Sequence, residues 1–178
     1  MLFMEKKGIT IRDEKPADIP AIRKLNTLAF GQPQEAGIVD KLRQNCKALL
    51  SLVAEDEGVI LGHVLFSPVT FDNDIGTPAG MGLAPMAVLP ERQGEGIGSL
   101  LVAVGLEKLK EMRCPFIVVL GHVDYYPRFR FVPASTFGFR CQWEGVPDEN
   151  FMILVLSAKA VDGIQGELRY RNEFDAAM

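Results

Sequence analysis

Between Val88 and Leu101 the chain reads VLPERQGEGIGSLL. An apolar run stops at a proline, and a helix-like stripe begins after three alternating glycines, Gly94, Gly96 and Gly98. This junction constrains the fold more than any other stretch. One glycine would supply only the backbone angles of a tight strand-to-helix turn. Three glycines ahead of a strong helix also clear side chains from the free amides at the helix N-terminus. Those amides, together with the helix dipole, form a cradle for an anion such as phosphate. Ile97, Leu100, Leu101, Val104, Leu109 and Met112 give the helix its apolar stripe, with Glu107, Lys108, Lys110 and Glu111 outside.

The flanking sequence supplies the rest of a sheet. GITIR (8–12) alternates apolar and polar residues like a short strand. Asp18 before Ile19 and Pro20 starts a helix, with Ile19, Ile22, Leu25 and Leu28 at helical spacing. A second helix is predicted over 35–45, with Ile38, Val39 and Leu42 on one face. ALLSLVAED and VILGHVLFSPVTF read as two strands joined by a hairpin turn at Glu57-Gly58. GMGLAPMAVLP reads as a further strand, interrupted by Pro85. PFIVVLG (115–121) is a continuous apolar run bounded by Pro and Gly, the pattern of a strand buried on both faces. DYYPRFRF reads as a short helix, followed by strand-like pieces ending in FMILVLS (151–157). This order predicts a mixed α/β sheet covered by helices. In the tail, GELRYRNEF is expected either to add an edge strand or to pack on the surface.

Composition narrows the function classes. At 178 residues, 48% hydrophobic and 24% charged, the chain is expected to form one domain with a full core. Its net charge is −4 and it has no block of Lys or Arg, which argues against a nucleic-acid partner. No apolar stretch approaches the roughly 20 residues of a membrane span, and MLFMEKKGIT has too short an apolar run for a signal peptide. Cys46, Cys114 and Cys141 are odd in number and lack a CxxC, so they read as reduced core thiols of a cytoplasmic protein. No His, Cys or carboxylate spacing suits a metal site.

Two nucleotide readings of the loop fail on residues. A dinucleotide fingerprint needs GxGxxG, yet Ser99 holds the last position, and Cys114 and Pro115 stand where an acidic ribose ligand belongs. A Walker loop needs GK[ST], and no Lys is present. The pattern that fits is Q/R-x-x-G-x-G/A, here Gln93-Gly94-Glu95-Gly96-Ile97-Gly98. It resembles the coenzyme A pyrophosphate loop of the GNAT superfamily of N-acetyltransferases. MAVLP looks like that family's fourth strand, IRDEKPADIPAIRKL like its first strand and helix, and GHVDYYPRFRFVPA like the end of its fifth strand and the following helix. The combined order and spacing look closest to the YhbS-like branch of predicted bacterial acetyltransferases. The resemblance implies a GNAT (acyl-CoA N-acyltransferase) fold, with a mixed central sheet of about six to seven strands flanked by helices. It covers roughly residues 8–158 and implies a domain over 1–158, leaving 159–178 as a C-terminal tail.

The resemblance also implies a chemistry: an amine attacks the thioester of acetyl-CoA (coenzyme A) directly, with no metal. The amides of Gly94, Gly96, Ile97, Gly98 and Ser99 would hold the pyrophosphate, with Gln93 at the loop's entrance and Glu95 within it. The backbone of Met86, Ala87 and Val88 would pair with the pantetheine arm, and one of those amides would polarise the thioester carbonyl. Tyr126 stands five positions before Phe131, where a family motif Y-x-x-x-G-F places a tyrosine, and is the implied general acid. Arg130 replaces the usual glycine of that motif. Tyr125 is a second candidate. His122 and Asp124 lie near the expected reaction centre, and an imidazole could take the amine proton. His63, in LGHVLF, reads as structural, and Glu35 as a solvated carboxylate that could attract a cationic amine. Arg92 and Arg128 are candidates to neutralise phosphate. The acceptor would be a small-molecule or peptide amine, and a homodimer is expected from the resemblance alone. The alternative is a non-catalytic acyl-CoA-binding regulatory module. A plain structural domain leaves the glycine loop unexplained.

Overall fold

The computed structural model describes residues 8–74 and 79–177. In chain order the strands are β1 (Thr10–Asp13), β2 (Leu50–Asp56), β3 (Val59–Phe71), β4 (Gly80–Val88), β5 (Phe116–Leu120), β6 (Val132–Pro133), β7 (Phe139–Cys141), β8 (Phe151–Val155) and β9 (Gly166–Arg169). The α-helices are α1 (Ile19–Phe30), α2 (Gln34–Asn45) and α3 (Ile97–Glu111). The chain divides into two compact units: residues up to Phe66 with Pro85–Lys108, and Ser67–Ala84 with Leu109–Ala176. β3, β4 and α3 each contribute to both.

In the first unit β1 pairs antiparallel with β2, and β2 with the front of β3. The β2–β3 turn has both central residues at positive φ, Glu57 at 47° and Gly58 at 83°. That is the twist a two-residue hairpin needs, and it carries Glu57 in a conformation glycine would adopt more cheaply. α1 starts where Asp18 accepts from Arg12 Nη1 and Nη2 at 2.6 and 3.0 Å and from the Lys15 amide at 2.7 Å. It stops at Gly31, which takes the left-handed conformation common just past a helix C-terminus. α2 buries Ala36, Ile38, Val39 and Leu42. α1 buries Ile22, Leu25 and Asn26, whereas Leu28, expected on that face, is exposed. The polar Asn26 holds a core position because its amide donates to Ile22 O at 2.9 Å and meets His63 Nδ1 at 3.3 Å.

α3 reaches β2 and β3 closely because Gly105 has no side chain. A Cβ there would lie 2.5 Å from the ring of Phe66. Ile97, Leu101, Val102, Ala103 and Leu109 are buried, while Met112 lies past the helix end and is exposed, contrary to the expected stripe.

In the second unit β5 pairs parallel with β4 over Met81–Leu83 and antiparallel with β8, which also carries β6. β9 pairs parallel with β7 and antiparallel with Thr70 and Phe71 at the end of β3. Phe116 stacks on Phe139, with Phe71 tilted against both. The fold is the expected mixed α/β sheet with helices. The described residues contain nine strands rather than six to seven. The surplus lies in β6, β7 and β9, of two to four residues each, too short to show apolar periodicity. Pro85 does not interrupt β4, which is continuous through it. The pairing with β5 ends at Leu83, and β4 takes two more residues between Ala79 and Leu89 than β3 takes between their partners Val69 and Leu61. An irregular stretch of this kind tolerates a residue without an N–H. Among the described residues, no helix is long and apolar enough to cross a membrane.

Candidate active site

The glycine loop belongs to the first unit. β4 ends at Val88, and the Leu89 amide still bonds Leu61 O at 2.9 Å. A 3-10 turn, Pro90–Arg92, follows, and Gln93 Nε2 donates back to Val88 O at 3.1 Å. Gly94 and Gly96 then take φ of 77° and 83°, conformations that L side chains rarely adopt. A Cβ on either would meet no heavy atom within 4 Å, so the surface over both is open. Ile97 anchors the first turn of α3 in the core, and the Leu100 amide bonds Gly96 O at 3.1 Å. The amides of Ile97 and Gly98 precede that bond and fall among the N-terminal donors an α-helix cannot satisfy internally. With the positive end of the dipole they favour an anion.

The loop's own carboxylate opposes such a ligand less than its formal charge suggests. Arg92 Nε donates to Glu95 Oε1 at 2.9 Å, and this bond raises the already high proton affinity of Arg92. Arg92 therefore compensates Glu95 within the loop. Ala87 is buried, and Met86 and Val88 are half-buried along β4. The Val88 carbonyl already accepts from Gln93.

Tyr126 and His122 belong to the second unit. Where β5 ends, Gly121 and Asn150 clasp each other: Gly121 N donates to Asn150 O at 2.9 Å and Asn150 Nδ2 to Gly121 O at 3.0 Å. The chain turns through His122, whose carbonyl accepts from Tyr125 N at 3.0 Å, into a 3-10 turn over Tyr126–Phe129. That turn closes at Arg130, with φ of 71° and its amide on Pro127 O at 2.9 Å. The residue standing in glycine's motif place thus adopts glycine's conformation, and the turn keeps its course.

Tyr126 is only 6% exposed. Its ring meets Tyr125 and Phe131 edge-on at centroid separations of 5.0 and 5.7 Å. It lies so close over Gly121 that a Cβ there would be 2.2 Å from a ring carbon. Burial, and secondarily Tyr125, push the phenol's pKa above its ordinary value, so it stays protonated at neutral pH. The Arg128 guanidinium sits 4.5 Å over the Tyr125 ring and donates to Asp124 O at 3.2 Å. His122 and Asp124 are exposed. A pocket of about 440 Å³ opens here, lined by residues 120–122, 144–147 and 150.

The remaining candidates lie elsewhere. His63 is wholly buried, and desolvation, with Arg43 nearby, lowers its pKa to about 3. Its Nε2 meets Ser51 Oγ at 2.9 Å, and Ser51 Oγ also donates to Glu14. Glu35 lies in the first turn of α2 and accepts from Gln32 Nε2 at 3.2 Å. Cys46, Cys114 and Cys141 are free and half-buried rather than fully in the core. Among the described residues, no group of three His, Cys, Asp or Glu could hold a metal ion. Sequence reading missed the Gly121–Asn150 clasp and Glu144. Gly121 reads in the sequence as the end of β5, and no pattern links it to a residue 29 positions on.

Comparison with known proteins adds four findings. The acetyltransferase (GNAT) family profile matches residues 19–139. The uncharacterized N-acetyltransferase YhbS of Escherichia coli strain K12 is 36% identical over 166 residues, covering 93% of this chain and 98% of that one. Among solved structures, E. coli YhbS in complex with CoA is 35% identical with a TM-score of 0.86, over 94% of this chain and 92% of that chain. A GNAT family acetyltransferase from Brucella melitensis in complex with acetyl-CoA is 37% identical with a TM-score of 0.77, over 94% of this chain and 98% of that chain.

Proposed function

Because the chain belongs to the acetyltransferase (GNAT) family, we propose that it moves an acetyl group from acetyl-CoA to a primary amine by direct attack in a ternary complex. The observation that carries this reading is the loop before α3: two glycines at positive φ under open surface, then helix-start amides. That cradle suits a diphosphate, and two relatives of the same fold were solved with CoA or acetyl-CoA. Acetyl-CoA, when bound, supplies an activated acyl group on a thiol leaving group. The chain supplies the rest. The N–H groups of Gly94, Gly96, Ile97, Gly98 and Ser99 donate to the pyrophosphate, with Gln93 and the Arg92–Glu95 pair framing the loop. The backbone of Met86, Ala87 and Val88 lines up the pantetheine arm.

The amine nitrogen forms its bond to the acyl carbon as the carbon–sulfur bond breaks. His122, directly or through water, takes the proton the nitrogen sheds. Tyr126 gives its phenolic proton to the departing sulfur. Burial makes Tyr126 a weaker acid than an exposed phenol and keeps its proton in place until the departing sulfur develops charge. Gly121 positions the ring by leaving room for it.

Tyr126→Phe tests the reading. Acetyl transfer, followed as CoA release over a panel of amines, should fall by roughly 10² to 10⁴, the range of a general acid's contribution. Affinity for acetyl-CoA should stay within about twofold, because the hydroxyl is not part of the cofactor grip. Equal turnover in the variant removes Tyr126 from the mechanism. Absence of transfer in the parent with every amine, alongside intact acetyl-CoA binding, favours the non-catalytic binding module.

A further inference from the structure

The pocket at the end of β5 is built entirely from the second unit and combines three features. Its volume of about 440 Å³ lies within the range of small-molecule sites, roughly 300–1,000 Å³. Its walls are pinned, because the Gly121–Asn150 clasp ties the end of β5 to the loop before β8 through two hydrogen bonds. Its charge has one sign: Glu144 is its only carboxylate, and no Lys or Arg lines it. Glu144 has no cationic partner among the described residues. Leu120, Val146 and Pro147 supply apolar wall, and His122 the remaining ionisable side chain. Gly121, which lines the pocket, is also the residue against which the Tyr126 ring lies.

We propose that this pocket receives the amine acceptor, and that Glu144 selects an acceptor carrying a second positive charge on a short apolar spacer. This rests on the acetyl-transfer reading above. The argument is chemical. A carboxylate beside the reacting nitrogen would raise its pKa and hold it as an unreactive ammonium. A carboxylate is therefore useful here for a different charge on the same molecule, one that need not lose its proton. The apolar wall suits the methylenes between the two nitrogens, and a lone anion on an otherwise uncharged wall repels acidic acceptors.

The probes are 1,4-diaminobutane and butylamine, which share a spacer and differ by one charge. Each is titrated into the full-length protein, without and with CoA, and read from amide NMR shifts of residues 120–122 and 144–147. The diamine should bind there at least threefold more tightly than butylamine. Glu144→Gln should remove that preference with little change for butylamine, a size of effect fitting a partly solvated ion pair. Glu144 is exposed, so the substitution leaves the fold intact, which circular dichroism checks. Equal affinity of the two amines, an unchanged preference in Glu144→Gln, or binding of neither probe in either condition overturns the assignment. Acetyl-CoA titrated into the same samples separates the two proposals: loss of that binding sinks the acetyl-transfer reading by itself, whatever the amines do.

Discussion

His63 has its imidazole wholly buried between Asn26 and Ser51, with Glu14 and Arg43 completing the group around it. Arg43 donates to Glu14 at 2.5 and 3.0 Å, so the nearest carboxylate is already neutralised by a guanidinium. Burial then dominates and holds the folded-state pKa near 3, below the ordinary 6.5. Above pH 6.5 both folded and unfolded chains carry a neutral ring, and its contribution to stability is complete. As pH falls from 6.5 toward 3 the unfolded chain takes a proton that the folded chain resists. Stability is lost by up to about 1.4 kcal/mol per pH unit. The thermal midpoint should therefore drop between pH 6.5 and 4.5, above the range where the ion-paired Asp18 begins to lose its charge. His63→Gln should flatten that slope even if it lowers the midpoint at pH 7. Parallel curves for the two proteins would show that the imidazole is not held neutral.

The element that ties sequence to function is the strand–loop–helix from β4 to α3. Gly96→Val puts a β-branched side chain at a φ of 83° and should cost about 1–2 kcal/mol of stability. Because the space over the loop is open, the same side chain would stand over the amides. Affinity for acetyl-CoA, measured by calorimetry, should fall at least tenfold. Stability lost with affinity retained would mean the glycine only turns the chain. This element is the most legible part of the sequence: its glycine spacing and the proline before it read directly, whereas its apolar stripe runs one residue past the helix, to the exposed Met112. The Tyr126 motif reads as a turn after β5, and the structure adds why Arg130 does not disrupt that turn: it takes the left-handed angle itself. Other parts were hidden. Asn26 is buried because its Nδ2 meets Ile22 O and His63 Nδ1, even though its Oδ1 lies buried without a hydrogen-bond partner, while Leu28, which a hydropathy pattern turns inward, is exposed. β6 and β7 are too short for periodicity, GELR forms the strand β9 but paired on both sides rather than at an edge, and the Gly121–Asn150 clasp is a contact between residues distant in sequence.

At the scale of the whole molecule, residues 159–176 fall within the second unit. Leu168 and Tyr170 are buried, and β9 joins β7 to the end of β3. Tyr170 stacks on Trp143 at 5.5 Å, meets Phe174 edge-on, and donates its hydroxyl proton to Val118 O at 3.2 Å. Its ring also occupies the space Gly82 leaves, where a Cβ would lie 2.4 Å away. Tyr170→Ala should cost about 3–5 kcal/mol in urea unfolding, and Tyr170→Phe about 1 kcal/mol for the hydrogen bond. A Tyr170→Ala protein within 1 kcal/mol of the parent would make the tail an appendage rather than core. Whether the intact chain holds its cofactor is tested by calorimetric titration of the purified protein with acetyl-CoA, with ATP and NAD as controls. One tight site is expected for acetyl-CoA and none for the controls. Absence of acetyl-CoA binding to cofactor-free protein would contradict it and leave the glycines of α3's entrance as no more than a turn.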